Sequence, residues 1–439
     1  MACDGRDAAS AAGVAVLTFA LTGGMMLGRA NSDLLFYACA VTQSALALLG
    51  ARLAMRSGAC VLFIFVIGAA ILRLVAVFGA PTLSGDLYRY IWDGRVINAG
   101  FNPYLHVPAD PALITLRDPY QFHLIDKRDY AVTVYPPVAE AIFALVTRVS
   151  SQVSAMKLAM VMFEAVAVLA LARLLRCLSR PGGLLVVYLL HPAPIWEIAG
   201  NGHVDAAMMA FLFGAFAWGE ASRPYLTAVP MTLGALIKPT GALGLPSIWR
   251  PVQVMLPLFV FALAALLYLP FAEAGTRLVG FLPRYLEEQG LASGEGIFWL
   301  ALLGKAGLLR PTMAPVFALL TGVALVALAV WTRRSGATDI GSQLRGTTVL
   351  LIAFFTLTTP TFPWYFLVAL PLSPLIGVWS PFALATGGFL LYGFHDGAPP
   401  FFARWALLVG FAIVTAAHDL LRANEKGGAQ PQTRASWPF

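Results

Sequence analysis

Apolar segments recur along almost the whole chain, and this pattern constrains the fold more than any other feature. They stand at about 11–28, 34–51, 59–80, 154–175, 183–199, 203–219, 224–237, 240–249, 252–271, 311–331, 346–362, 364–379, 381–394 and 401–421. Because a membrane-spanning helix needs about 20 apolar residues, the sequence predicts an all-α polytopic membrane protein with about 14 spans, within a range of about 12 to 14. Of the 439 residues, 59% are hydrophobic and 12% are charged, whereas about 25% are charged in soluble domains. This composition excludes a cytosolic enzyme, a disordered chain and a nucleic-acid-binding domain.

Basic residues in the short connections predict the orientation of these spans. They are Arg52, Arg56, Arg173, Arg176, Arg180, Arg223, Arg250, Arg333, Arg334, Arg345, Arg422, Lys426 and Arg434. Lys and Arg favour the cytoplasmic side, so a cytoplasmic N-terminus and an even number of spans would place all of them inside the cell. The predicted organisation is a single integral-membrane catalytic domain over residues 1–421, followed by a disordered cytoplasmic tail at 422–439.

Two longer polar loops, 81–136 and 272–310, are then expected outside the cell. Long ordered loops tend to be functional. Val138–Val149, after the first loop, and Ile297–Leu309, at the end of the second, are short apolar segments, and we expect both to be interfacial helices. Any chemistry should therefore take place at the outer membrane surface.

The four cysteines, Cys3, Cys39, Cys60 and Cys177, show no CxxC or CxxH spacing. Three of them fall in or beside apolar segments. The sequence therefore favours small buried residues over disulfides or metal ligands.

The first loop opens with a dense cluster of acidic, basic and aromatic residues. If residues 86–93 are helical, Asp86, Arg89, Tyr90 and Asp93 share one face at spacings i, i+3, i+4 and i+7. Such a face suits sugar hydroxyls, and a carboxylate there is a candidate general base toward an attacking hydroxyl. The structural alternative is an ion-pair face that anchors the loop.

Other ionisable residues stand beside or within apolar segments. His203 and Asp205 begin an apolar helix, where they are candidates to contact a substrate or a leaving phosphate; the alternative is a helix cap with a satisfied histidine. Lys238 and Arg73 lie at membrane depth, where a cation is by default a functional-site hypothesis. An anionic lipid phosphate would be a natural partner for Lys238, and snorkelling to the headgroups is its alternative.

Aromatic residues mark two further candidates for substrate contact. Tyr135 precedes a Pro-Pro pair that fixes a turn in the first loop, and Trp364 and Tyr365 lie in an outer helix hairpin. Aromatic residues are enriched at membrane interfaces, so loop architecture and interfacial anchoring remain open as explanations.

These motifs together resemble those of bacterial GT-C glycosyltransferases. The matching strings are Gly85–Arg95, Gly100–Tyr104, Tyr135–Pro137, Gly202–Asp205, Lys238–Thr240 and Pro363–Tyr365. The branch that the chain resembles is the polyprenol-phosphate-mannose-dependent mannosyltransferases. The similarity covers most of residues 70–380, and the string in the first loop is its specific part.

The resemblance implies an inverting hexosyltransferase of the bacterial plasma (inner) membrane with its active site on the extracytoplasmic side. It would move a sugar, with mannose expected, from a polyprenyl-phosphate donor to a lipid-linked or extracytoplasmic glycan in cell envelope glycan biosynthesis. By position in the family pattern, Asp86 would be the catalytic base and Asp93 would bind the acceptor or tune Asp86. Arg73, His203 and Lys238 would hold the donor phosphate.

Two further expectations concern cofactors with partners and the alternative classes of protein. Some members of the family carry an Asp-x-Asp pair and use a divalent metal; this loop lacks the pair, so no metal or other cofactor is expected to be required, and the partners are donor, acceptor and membrane lipids without nucleic acid. A secondary transporter or lipid flippase is the leading alternative, since it too would contain broken helices and buried charges. A membrane scaffold or binding protein is the third.

Overall fold

The fold is helical throughout the residues described by the computed structural model, which are 4–219, 223–250, 252–334 and 339–427. The α-helices are α1 (Gly5–Asn31), α2 (Asp33–Ser57), α3 (Ala59–Phe78), α4 (Asp86–Asn98), α5 (Pro137–Val149), α6 (Val153–Cys177), α7 (Val186–Leu190), α8 (Asp205–Trp218), α9 (Pro224–Ala235), α10 (Leu245–Ile248), α11 (Leu256–Tyr268), α12 (Leu282–Glu288), α13 (Phe298–Lys305), α14 (Met313–Arg334), α15 (Ile340–Thr358), α16 (Leu372–Ile376), α17 (Ser380–Gly387) and α18 (Phe401–Gly427). Short 3₁₀ helices span Pro111–Leu116, Phe122–Leu124, Gly182–Leu185, Pro239–Gly244, Leu269–Val279, Pro363–Val368 and Gly388–Leu391, and a π-helix spans Pro194–Gly200.

Eight helices in the described part of the chain are long and apolar enough to cross a membrane. They are Gly5–Asn31, Asp33–Ser57, Ala59–Phe78, Val153–Cys177, Leu256–Glu288, Met313–Arg333, Ile340–Thr358 and Phe401–Arg422. The pair Gly182–Leu190 and Pro194–Gly200, bent by 63°, gives up to nine if it forms one broken span. The predicted class, an all-α polytopic membrane protein, is confirmed. The number of long spans is smaller than the sequence suggested, because the proline-interrupted stretches 183–249 and 364–394 fold into short helices.

The helices pack around one extensive apolar core. Ser32 joins α1 to α2, and these two helices pack along each other. Helix α8 packs between α6 and α9. Phe36, Phe65, Phe213 and Phe216 are among the large side chains buried there. Helices α4 and α5 pack on each other and both contact α6, so the first loop is seated on the bundle.

The first loop, 81–136, forms a small structure of its own. It contains α4 and two 3₁₀ turns, whose side chains Trp92, Val96, Leu113 and Ile125 make a separate apolar cluster. The two segments predicted as short flanking helices, Val138–Val149 and Ile297–Leu309, correspond to α5 and α13. Their position at a membrane surface stays a prediction.

Two other expectations, one for the C-terminal tail and one for the cysteines, are met only in part. Helix α18 continues to Gly427, into the tail predicted to be disordered, and residues 428–439 lie outside the described residues. The prediction that the cysteines form no disulfide is wrong for Cys60, which is disulfide-bonded. Cys39 is buried and free, as expected, whereas the free Cys177 is exposed at the end of α6.

Candidate active site

A cavity of about 1360 Å³ lies where the first loop meets the bundle. One part of its wall carries polar and charged side chains, including Asp86, Arg89 and Lys238. Another part is apolar and is supplied largely by α11 and the 3₁₀ helix that follows it, with Phe261 and Leu269 as examples. The cavity is therefore amphipathic and suits a molecule with a polar head and a hydrocarbon chain.

Asp86 is the first residue of α4 and faces this cavity. The backbone N–H of Asp86 donates a hydrogen bond to the hydroxyl of Ser84 at 3.2 Å. The Asp86 side chain is 38% exposed, yet protein atoms surround the carboxylate and remove much of its hydration. Desolvation raises the pKa of Asp86 to about 6, and the nearby positive charge of Lys238 opposes that shift. A carboxylate with this pKa is mostly ionised at neutral pH and is a stronger base than an exposed aspartate.

The predicted face of α4 exists, but its four members do not all face the cavity. Asp86, Arg89 and Tyr90 line it. Asp93 is buried behind Arg89, which donates to both of its oxygens at 2.8 and 2.9 Å. The expectation that Asp93 contacts the acceptor is not supported by this position. The ion-pair alternative describes the Arg89–Asp93 part of the face.

The ion pair with the buried Asp93 holds the guanidinium of Arg89 at the cavity wall. Nη1 of Arg89 donates to the carbonyl of Ala131 at 2.9 Å, whereas Nη2 has no partner within the described residues. Glu140 lies next to Asp93, and burial together with the negative charge of Asp93 raises the pKa of Glu140 well above its usual range. Nη2 of Arg89 is thus a buried cationic donor without a protein partner in the described part of the chain.

Close packing between α4 and α5 fixes the orientation of this face. A Cβ on Gly94 would approach the carbonyl oxygen of Phe143 to 2.3 Å, so only glycine allows the two helices this contact. Tyr90 stacks on Phe143 at 4.5 Å and meets Tyr135 edge to face at 5.0 Å between ring centroids. Tyr90 and Tyr135 both line the cavity, and their contact with substrate stays a prediction.

Lys238 and Asp205 form an ion pair at the cavity wall. Nζ of Lys238 donates to both carboxylate oxygens at 2.8 Å and lies 4.3 Å from the ring centroid of Tyr365. Asp205 is buried at the start of α8, where a carboxylate also complements the helix dipole. Lys238 and Tyr365 line the cavity and Asp205 holds the lysine from behind.

His203 lies behind Asp86 and does not line the cavity. It is buried, and its ring stacks on Trp364 with centroids 4.4 Å apart. Its Nδ1 is 3.9 Å from Asp86 Oδ2 and its Nε2 is 3.5 Å from Glu197 Oε2, and neither nitrogen has a hydrogen-bond partner within the described residues. The structure therefore does not bring His203 to the cavity wall, although the resemblance implied that it holds the donor phosphate. Trp364 itself lines the cavity.

Asn201 ties the start of the first loop to the turn before α8. Its side-chain oxygen accepts from the backbone N–H groups of Thr82 and Leu83 at 2.9 and 2.8 Å. Its Nδ2 donates to the carbonyl of Trp196 at 2.7 Å. Gly202 follows at φ +73°, where a Cβ would meet Leu87 of α4 at 2.4 Å. These contacts bring Asp86 and His203 together from distant parts of the chain.

Arg73 is not part of this cavity. It is buried in the bundle, where Nε and Nη2 donate to Glu164 at 2.9 and 2.8 Å and Nη1 donates to the carbonyl of Leu189 at 3.0 Å. The structure thus does not bring Arg73 to the predicted phosphate site. A bidentate buried pair of this kind is a structural element of the bundle.

Several residues of the cavity were not identified from the sequence. Asp126, Lys127 and Tyr285 line it. Glu197 is an ionisable residue in an apolar stretch of the sequence. The structure places it outside the cavity lining, beside His203, where its carboxylate accepts a hydrogen bond from the hydroxyl of Tyr392 at 2.9 Å. Charge at membrane depth was the available signal for Glu197, whereas no spacing in the sequence connects Tyr285 with α4.

The next feature is the arrangement of side chains that could bind a metal ion. Across residues 4–219, 223–250, 252–334 and 339–427, no group of three His, Cys, Asp or Glu side chains is arranged to hold a metal ion. Independence from metal stays a prediction.

The fold and the cavity define a polytopic membrane protein with an aspartate and cationic side chains at an amphipathic site. Residues 34–252, which include α4, α8 and Lys238, match the family model of the alpha-(1->6)-mannopyranosyltransferase N-terminal domain. The chain is a mannosyltransferase of the GT-C type. The predicted glycosyltransferase is confirmed in preference to the transporter, flippase and scaffold alternatives. No curated protein and no solved structure matches the chain.

Proposed function

We propose that the protein transfers mannose from a polyprenyl-phosphate donor in the outer leaflet to a glycan acceptor, with Asp86 as the general base. The amphipathic cavity carries this proposal. Its apolar wall suits a polyprenyl chain, and Arg89 and Lys238 supply positive charge where a phosphate headgroup would lie. A donor dissolved in the bilayer requires no soluble nucleotide-binding domain.

The proposed reaction is a single displacement with inversion. The carboxylate of Asp86 accepts the proton of an acceptor hydroxyl as its oxygen attacks the anomeric carbon of the donor. The bond between that carbon and the phosphate oxygen breaks, and the electron pair leaves with the phosphate. Arg89 and Lys238 stabilise the negative charge that develops there. His203, 3.9 Å from Asp86 and stacked on Trp364, limits the positions available to the carboxylate.

The length of α3 supports an outward orientation of the site. Arg52 and Arg56 lie at the end of α2, before the turn that leads into α3, and Asp86 follows the other end of α3. A helix of 20 residues is about 30 Å long, which is the thickness of the hydrocarbon core. If these arginines are cytoplasmic, Asp86 lies on the extracytoplasmic side of the bacterial inner membrane.

The test is reconstitution of the purified chain with radiolabelled polyprenyl-phosphate mannose and a membrane lipid extract, with products identified by mass spectrometry. We expect label to move to an acceptor from this donor and not from GDP-mannose. Asp86→Asn should abolish transfer, and Asp129→Asn should not, since the Asp129 side chain is 74% exposed in the same loop and does not line the cavity. Normal turnover by folded Asp86→Asn would remove Asp86 as the base.

A further inference from the structure

A second crevice of about 610 Å³ adjoins the cavity. The two share part of their walls, including Leu83, Phe362 and Trp364. The crevice is bounded on its other side by α18 and by the segment around Phe394. A molecule in the crevice would therefore reach the cavity along the ring of Trp364.

The two spaces differ in charge. Arg89, Lys127 and Lys238 line the cavity. The lining of the crevice, as far as the described residues define it, contains no Lys, Arg or His and includes Glu288 and Glu295. The cavity holds these three cations beside Asp86 and Asp126, and Glu288 of the crevice is paired with Lys127. Of the two linings, the cavity is the one that offers cations to a phosphate, so the crevice suits an uncharged molecule.

Aromatic rings and carboxylates give the crevice the chemistry of a carbohydrate site. Phe362 stacks on Trp364 at 4.6 Å, and Tyr392 stacks on Phe394 at 5.7 Å between ring centroids. Phe401 is 39% exposed there. Aromatic faces pack against the C–H face of a sugar ring, and carboxylates accept hydrogen bonds from its hydroxyl groups.

We propose that this crevice binds the acceptor as an uncharged mannose-containing oligosaccharide, with its terminal hydroxyl directed past Trp364 toward Asp86. The direction follows from the shared lining residues Leu83, Phe362 and Trp364, since Asp86 lines the cavity that the crevice adjoins. This assignment rests on the proposed function for the role of Asp86. The binding site itself does not depend on which donor is used.

The test is a titration of the full-length protein in detergent with α-1,6-linked mannotriose, followed by saturation-transfer NMR. We expect Phe401→Ala and Glu295→Gln each to weaken saccharide binding by up to about tenfold, the value of one neutral hydrogen bond or ring contact. The matched controls are Phe411→Ala, on the same helix with its side chain 51% exposed, and Glu287→Gln, which is exposed and outside both linings. The controls should bind as the unmodified chain does.

Kinetics with a functional donor provide a second readout. Both crevice variants should raise the KM for the acceptor and leave the KM for the donor unchanged. Unchanged saccharide affinity in both variants would overturn the assignment. The titration contains no donor, so it tests the crevice independently of the donor. If saccharide binding depends on Phe401 and Glu295 but the protein fails to use polyprenyl-phosphate mannose, the donor proposal is wrong and the assignment of the crevice stands.

Discussion

The ammonium group of Lys238 lies 2.8 Å from both carboxylate oxygens of Asp205, which is buried at the start of α8. The pair joins two parts of the chain 33 residues apart and presents the lysine to the cavity that Asp86 also lines. The positive charge of Lys238 also lowers the pKa of Asp86 against the effect of burial. One cation would thus act on the proposed general base as well as on the proposed phosphate.

Lys238→Ala should weaken use of the donor much more than use of the acceptor. Loss of a charged hydrogen-bonding group is worth roughly 10- to 100-fold, and we expect this factor in kcat/KM for the donor. The substitution also leaves Asp205 buried without its cation, so the double variant Lys238→Met/Asp205→Asn separates lost binding from lost stability. Donor kinetics and thermal unfolding should be measured for both. An unchanged donor dependence in a folded Lys238→Ala protein would place the lysine outside the phosphate site.

Transfer should depend on the ionisation of Asp86. Its pKa is about 6, and the ionised form is the base. The expected kcat/KM is level above this pH and falls tenfold for each unit below it. A pH–rate profile measured with a donor at low concentration checks this. A profile that stays flat down to pH 4.5 would contradict the assignment, provided that the protein remains folded in that range by circular dichroism.

Arg73 should matter for stability and have little effect on donor binding. Arg73→Met leaves Glu164 buried without its partner and should reduce stability by about 3–5 kcal/mol. Arg73→Met/Glu164→Leu removes both charges and should recover much of that loss. Chemical denaturation in detergent measures the stability, and donor KM is measured in parallel. A large rise in donor KM at unchanged stability would restore the role in phosphate binding that the sequence suggested.

Turnover should persist after chelation of divalent metals. The proposed chemistry uses Asp86 for the proton and Arg89 with Lys238 for the phosphate charge, so no step requires a cation from solution. We expect the rate to be the same in excess EDTA as in excess Mg²⁺. A loss of activity in EDTA that is restored by Mg²⁺ would show that a metal contributes.

Local patterns in the sequence were sufficient to predict several parts of the site. The spacing of Asp86, Arg89 and Tyr90 predicts a shared helical face because those contacts lie within two turns of α4. Lys238 was identified because charge at membrane depth is costly and needs a reason. Pairings across the fold were not predicted. Arg73 meets Glu164 over a separation of 91 residues, and no periodicity within either helix carries that information.

The number of spans was also beyond the reach of local patterns. Hydropathy treats 183–249 as a series of apolar segments, but proline residues divide this stretch into short helices with a bend of 63° between Gly182–Leu190 and Pro194–Gly200. The site depends on that irregularity, since the turn carrying His203 follows it directly. A regular helix there would leave no place for the turn.

The amide of Asn201 connects this bent segment to the start of the first loop. It holds Thr82 and Leu83 on one side and Trp196 on the other, and Asp86 follows three residues after Leu83. A tilt of the broken helix would therefore also move the start of the first loop. Bilayer thickness and lipid packing, which set the tilt of such segments, would in this way act on the position of the proposed base.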